Sequence, residues 1–153
     1  GDSFVFHYNR HTELLEHSFT RLADFSNPPR LVSCKDPLEE EGCCSGVFHI
    51  DDASIVFAAS DALSHYVLMM YELSKSAEFE SELMELRMKR TSNSQLLQMA
   101  EKEVFKFYDD VLRPLLRSVD SEANFKELME SLYVKKLIDI DDYTLAILKN
   151  NNA

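Results

Sequence analysis

Three aspartates stand beside two short apolar runs that the sequence predicts to be strands. Residues 55–59 (Ile-Val-Phe-Ala-Ala) are rich in β-branched and aromatic side chains and are too short for a helix. Asp61 lies just after this run, whereas Asp141 and Asp142 come just before a second run at 143–148. If the two strands are adjacent and antiparallel, all three carboxylates fall at the same end of the sheet.

Carboxylates grouped in this way are typical of a site for divalent metal ions. Mg²⁺ and Mn²⁺ prefer carboxylate and water oxygens, and two such ions about 4 Å apart can activate a water to attack a phosphoryl group. Other interpretations remain open. Asp61 is also well placed to be a helix N-cap, and Asp141 and Asp142 can be polar turn residues before a strand.

Strands and helices are predicted from the two hydrophobic periods. Residues 2–19 alternate between apolar and polar around a turn at 9–11, which predicts a β-hairpin. Residues 47–50 are predicted to form a second hairpin with the strand at 54–59. From Leu63 the apolar residues recur with a helical period.

Further helices are expected after this first one. Ser76 is a candidate cap for one helix, a second is expected to run from the 91–94 break through Leu115 with a kink or junction at Pro114, and Ser121 opens the last. Strands at both ends with helices between them predict an α+β fold in which antiparallel hairpins pack with helices.

Composition limits the classes of protein that fit. At 153 residues the chain suits a single domain spanning 1–153. Its formal net charge of −11 argues against nucleic-acid binding, and no apolar run approaches the roughly 20 residues that a membrane span needs. Cys34, Cys43 and Cys44 have no metal-ligand spacing, so we expect free thiols in a cytoplasmic protein.

Three motifs resemble the metal-dependent protein phosphatases of the 2C type. Gly1-Asp2-Ser3 before a hairpin resembles that family's Gly-Asp-Ser strand, and residues 57–63 (Phe-Ala-Ala-Ser-Asp-Ala-Leu) look like its strand ending in Ser/Thr-Asp-Gly/Ala. Residues 141–145 (Asp-Asp-Tyr-Thr-Leu) are similar to its final Asp-Asn/Asp-x-Thr strand, and residues 24–29 resemble a segment of a divergent bacterial branch. The resemblance spans this chain but covers only the C-terminal half of the family's catalytic domain.

The resemblance implies part of an α-β-β-α sandwich that hydrolyses phosphomonoesters on phosphoprotein substrates at serine and threonine. Asp61 and Asp141 would be ligands of its binuclear Mg/Mn centre. Asp2 would lie nearby and serve a third, weaker metal, and Asp142 ranks after Asp141 because the family often has Asn there.

The family's first half supplies further aspartates and a phosphate-binding arginine that have no counterpart here. Arg10 and Arg21 do not fall in that sequence context. We therefore expect the chain, which begins at Gly1 without an initiator Met, to be a piece of a longer protein and to lack a complete active site on its own.

Two alternatives to a phosphatase remain. The chain could be a non-catalytic binding or scaffold module that keeps the phosphatase fold, or a helical interaction domain with a small sheet whose acids face solvent. Half a sandwich leaves strand edges and an apolar face open, so self-association is expected.

Overall fold

The structure, a computed structural model, describes residues 3–18, 21–26 and 46–148. The predicted α+β class is confirmed, because the described residues form one four-stranded antiparallel sheet with helices. The elements in chain order are β1 Ser3–Asn9, β2 Leu14–His17, a 3₁₀ helix Leu22–Ser26, β3 Ser54–Ser60, α1 Asp61–Ser74, α2 Glu80–Met88, α3 Ser92–Ala100, a π-helix Phe107–Leu112, α4 Arg113–Ser118, α5 Glu122–Val134 and β4 Leu145–Leu148.

The strands lie in the order β2-β1-β3-β4. The predicted first hairpin is confirmed, and its turn is closed by the Asn9 side chain, whose Oδ1 accepts the N–H groups of His11 and Thr12. β3 is central and pairs antiparallel with β1 on one side and β4 on the other. The second strand next to β3 therefore comes from the far end of the chain.

Helix α1 packs on one face of this sheet and forms the centre of the core. The strands alternate, so that Phe6 and Tyr8 of β1 and Phe57 of β3 are buried on one face. The rings of Phe6 and Phe57 stack with centroids 5.0 Å apart. Every residue from Leu63 to Glu72 is buried, because the 3₁₀ helix and the π-helix also contact α1.

The prediction of a strand at 47–50 was wrong. Residues 46–50 have no regular structure, and both edges of β3 are already paired with β1 and β4. Asp51 instead begins a tight turn into β3, in which its Oδ1 accepts the N–H of Ala53 at 2.9 Å.

The prediction of one helix through Leu115 was also wrong. Helix α3 ends at Ala100, and Val104, which continues the apolar spacing, is fully exposed. Lys106 is extended and donates its N–H to the Asp110 carboxylate at 2.7 Å, which starts the π-helix. Pro114 lies in the first turn of α4, where a missing N–H costs little, so the predicted junction is confirmed.

Helix starts were predicted with mixed success. Ser121 is the N-cap of α5 and its hydroxyl accepts the N–H of Asn124, as expected. Ser76 is not a cap, since α2 begins only at Glu80. The cysteines Cys34, Cys43 and Cys44 lie outside the described residues. None of the described helices combines the length and apolarity that crossing a bilayer requires.

Candidate metal site

The register between β3 and β4 brings Asp61 and Asp141 to the same end of the sheet. Ala59 pairs with Leu145, and at the last residue of β3 the Ser60 N–H donates to the Thr144 carbonyl at 3.0 Å. The Thr144 N–H in turn donates to the Ser60 hydroxyl at 3.1 Å. These two bonds hold the start of α1 beside the segment that carries Asp141.

Both aspartates line one pocket of about 180 Å³. Its walls come from the start of α1, the 3₁₀ helix, α3 and the segment before β4. The lining residues are Phe25, Asp61, Ala62, His65, Asn93, Leu96, Asp139, Ile140 and Asp141.

Each of the three pocket carboxylates uses one oxygen locally. Oδ1 of Asp61 accepts the N–H of Ala62 at 2.8 Å, Oδ1 of Asp139 accepts that of Ile140 at 2.9 Å, and Oδ1 of Asp141 accepts that of the next residue at 2.8 Å. In each case Oδ2 forms no hydrogen bond within the described residues. Three carboxylates can therefore each offer one oxygen to a cation.

The interpretation of Asp61 as an N-cap was wrong, since Asp61 is the first residue of α1 and Ser60 occupies the cap position. The Ser60 side chain makes no capping bond to the helix. A negative charge in the first turn nevertheless interacts favourably with the helix dipole.

The pocket contains three polar residues that the sequence did not single out. Asp139 comes from the segment before β4, Asn93 from α3, and His65 from α1, one helical turn after Asp61. The alternation of Asp139 with Asp141 was a signal that could have been used. Nothing local marks Asn93 or His65, because their positions depend on how the helices pack.

His65 is the most unusual of these residues. Its side chain is buried, the ring lies edge-on to Phe25 with centroids 5.4 Å apart, and Nε2 has no hydrogen-bond partner within the described part of the chain. Burial lowers the pKa of His65 to about 4, so the ring is neutral at pH 7. A neutral imidazole can accept a hydrogen bond or bind a metal.

Two predicted ligands remain besides Asp61 and Asp141, namely Asp142 and Asp2. Asp142 is exposed and does not line the pocket. Asp2 lies outside the described residues. Ser3, the first described residue, pairs with Ser60 at this end of the sheet.

A second acidic group lies at the opposite end of the sheet. Ligand atoms of His11, Asp51 and Asp52 lie within 4.8 Å of one another, and in the described ranges this is the only set of three that close. The Asp51 carboxylate already accepts hydrogen bonds from Asn9 and Ser54, which lower its pKa. This group therefore shapes the turn into β3.

The pocket at Asp61 differs from that group in the spacing of its carboxylates. The carboxylates of Asp61, Asp139 and Asp141 do not converge within the same 4.8 Å. Water oxygens would have to complete the coordination of an ion between them. Mg²⁺ characteristically keeps several of its waters in protein sites.

Comparison of the chain with known protein families, with characterised proteins and with solved structures gives no match.

Proposed function

We propose that this chain is the C-terminal part of a metal-dependent protein serine/threonine phosphatase of the 2C type, which hydrolyses phosphomonoesters on phosphoproteins. The observation that supports this is the strand register. Asp61 after β3 and Asp141 before β4 lie on the wall of one pocket, where the ligands of a shared binuclear Mg/Mn centre would lie.

The residues of the pocket fit such ions. Asp61, Asp139 and Asp141 supply hard carboxylate oxygens, and Asn93 carries an amide oxygen. When bound, two such ions supply an activated water and offset the charge of the phosphoryl group. This chain's residues would hold the ions and leave water positions open.

The pocket is incomplete for catalysis. No Arg or Lys is among its lining residues in the described ranges, so nothing there binds a phosphate directly. The upstream half of a 2C-type domain would supply that arginine and the remaining ligands. The fragment alone is accordingly proposed to be inactive.

Metal binding by the chain itself tests the proposal. Titration of Mn²⁺, followed by calorimetry and by the loss of the free-ion electron paramagnetic resonance signal, should show that Asp61→Asn weakens binding at least about tenfold. The control Asp120→Asn removes an exposed acid outside the pocket and should leave binding unchanged. Unchanged binding in Asp61→Asn, or loss of binding only in Asp52→Asn, would refute the site.

Activity provides the second test. A chain extended upstream should hydrolyse a generic phosphomonoester in the presence of Mn²⁺, and Asp61→Asn should abolish that hydrolysis. Hydrolysis by the extended chain that survives Asp61→Asn would contradict the assignment of this carboxylate.

The second candidate function is a binding or scaffold module that retains the fold without activity. Two observations favour it: the pocket carboxylates do not converge, and no Arg or Lys of the described residues lines the pocket. An extended chain that neither binds Mn²⁺ nor changes its unfolding temperature with a chelator would support this alternative.

Self-association is proposed for the isolated chain. β2 and β4 are the edges of the described sheet, and the apolar side chains Val5, Leu14 and Leu148 are exposed on its strands. Exposed edges and apolar surface are templates for pairing with another chain. A monomer by light scattering at about millimolar concentration would contradict this.

A further inference from the structure

A second pocket lies at the other end of α1. Its volume is about 460 Å³, more than twice that of the pocket at Asp61, and within the range of small-molecule sites. Tyr71, Ser74 and Lys75 from the C-terminal end of α1 line it. The 14 residues of α1 span roughly 20 Å, so the two pockets are separate.

Three cations line this pocket, although the chain as a whole is strongly acidic. They are Arg10, Lys75 and Lys106, and none forms an ion pair with a carboxylate of the described residues. Two acids, Glu13 and Asp109, also line it, and Asp109 is paired with an arginine outside the pocket at 3.1 Å. Three cations therefore line the pocket with two acids, one of which is paired elsewhere, so the lining carries excess positive charge.

The position of two of these cations is set by the fold. The Arg10 guanidinium donates to the Asp52 carbonyl at 3.3 Å, and Lys75 Nζ lies 5.3 Å from the centre of the Tyr71 ring. Such a cation–π contact holds the ammonium group next to an aromatic surface. Lys75 is thus held beside a ring of the pocket, and Arg10 is held against the turn that precedes β3.

Aromatic rings form the wall of the pocket. Tyr8 stacks on Tyr108 with centroids 5.9 Å apart and an interplanar angle of 6°, and it also contacts Phe107 at 5.5 Å. Phe107 contacts Tyr71 edge-on at 5.2 Å. Phe107 and Tyr108 belong to the π-helix, a distortion that is frequent at functional sites.

Tyr8 from β1 lines the pocket. The residue as a whole is 2% exposed, but its hydroxyl is not one of the enclosed polar atoms that lack a partner. The hydroxyl is therefore placed where it can donate to a group bound in the pocket. Burial raises the pKa of Tyr8 to about 12, so the hydroxyl stays protonated and can donate.

We propose that this pocket binds a small molecule in which a planar ring carries a phosphate group. The ring packs against the aromatic wall, the phosphate lies toward Arg10, Lys75 and Lys106, and the Tyr8 hydroxyl donates to it. A phosphate monoester carries nearly two negative charges, which matches several unpaired cations better than a carboxylate does. This inference does not depend on the proposed phosphatase function.

The experiment is a titration of the ¹⁵N-labelled 153-residue chain, followed by NMR and calorimetry. Adenosine monophosphate and phosphotyrosine are the two probes, and they distinguish a nucleotide from a phosphorylated side chain as the source. Adenosine lacks the anion and inorganic phosphate lacks the ring. Saturable binding of at least one probe, about tenfold or more tighter than either partial probe, is expected, with shifts at Tyr8, Lys75 and Lys106.

Variants connect the binding to the pocket. Lys106→Met removes an exposed cation without disturbing the core and should weaken binding about fivefold or more. Tyr8→Phe keeps the ring and should weaken it severalfold. The control Lys136→Met removes an exposed cation that lies outside this pocket and should have no effect.

Three results would overturn the proposal. The first is that neither probe binds saturably, and the second is that inorganic phosphate binds as tightly as the probes. The third is that Lys106→Met and Lys136→Met weaken binding equally. Thermal unfolding of Tyr8→Phe shows whether that variant is folded, and Lys106→Met provides the test if it is not.

Discussion

Replacing Glu72 with Gln should make the protein more stable at alkaline pH. Glu72 is on α1, is 3% exposed, and has an Oε2 atom without a hydrogen-bond partner in the described residues. Burial raises its pKa from 4.5 to about 7, with a further increase from Glu82 and an opposing effect from Arg21. The folded protein therefore holds a proton that the unfolded chain releases.

The sign and size of the effect follow from this difference. Between pH 4.5 and about 7 the folded state binds more protons at Glu72 than the unfolded state, so stability falls as the pH rises through this window. A shift of this size corresponds to about 3 kcal/mol at 1.36 kcal/mol per pKa unit. Gln has the same shape and no charge, so Glu72→Gln should be more stable than the wild type by about 2–3 kcal/mol at pH 8 and nearly equal at pH 4.5.

Urea unfolding at pH 4.5, 6 and 8 measures the difference. The matched control is Glu127→Gln, which removes an exposed carboxylate of α5 and should not change the difference with pH. His65 titrates in an overlapping range with the opposite sign, but it is present in all three proteins and cancels in the comparison.

One result would refute this reasoning. A difference between Glu72→Gln and the wild type that stays constant from pH 4.5 to 8 would mean that Glu72 titrates normally. Its carboxylate would then be hydrated in the folded protein, in conflict with its burial among the helices.

Three further changes should alter stability. As the pH falls from 6.5 to about 4, the free energy of unfolding of the wild type should decrease by about 3 kcal/mol, because the unfolded chain binds a proton at His65 before the folded protein does. His65→Gln should remove this decrease, which acid unfolding followed by circular dichroism measures. Phe57→Ala should cost about 3–5 kcal/mol in urea unfolding, since it leaves a cavity beside Phe6. Ser121→Ala should cost about 1 kcal/mol in the same assay by removing the N-cap bond to Asn124, whereas Ser121→Asp should restore it.

Each of these has a result that contradicts it. If His65→Gln lost as much stability as the wild type between pH 6.5 and about 4, the wild-type ring would not be both buried and neutral. A loss below about 1 kcal/mol for Phe57→Ala would mean that the aromatic core is loosely packed. Equal stabilities of Ser121→Ala and Ser121→Asp would exclude the capping bond.

The local elements followed from the sequence where neighbouring residues alone decide the backbone. The change from period 2 to period 3.6 predicted a strand at 54–59 and a helical period from Leu63, within one or two residues of the observed end of β3 at Ser60 and start of α1 at Asp61. The hairpin of β1 and β2 and the Ser121 cap were equally local, since each depends on residues a few positions apart.

Where the sequence prediction failed, distant segments competed for the same place. Residues 47–50 have a strand-like pattern, but β4 occupies the edge of β3 that they would have needed. Val104 has helical spacing, but the chain leaves the helix before it and Val104 faces solvent. Pattern indicates which residues can be buried, while packing decides which of them are.

The candidate site, too, was predictable from the sequence only in part. The sequence alone determined that Asp61 follows a strand and that Asp141 precedes one. Only the tertiary structure decided that both line one pocket, through bonds between Ser60 and Thr144, 84 positions apart, and that His65 lines it too. The reason is physical, because hydrogen-bond registers and helix packing between distant segments depend on all the competing contacts of the folded chain and not on any one stretch of it.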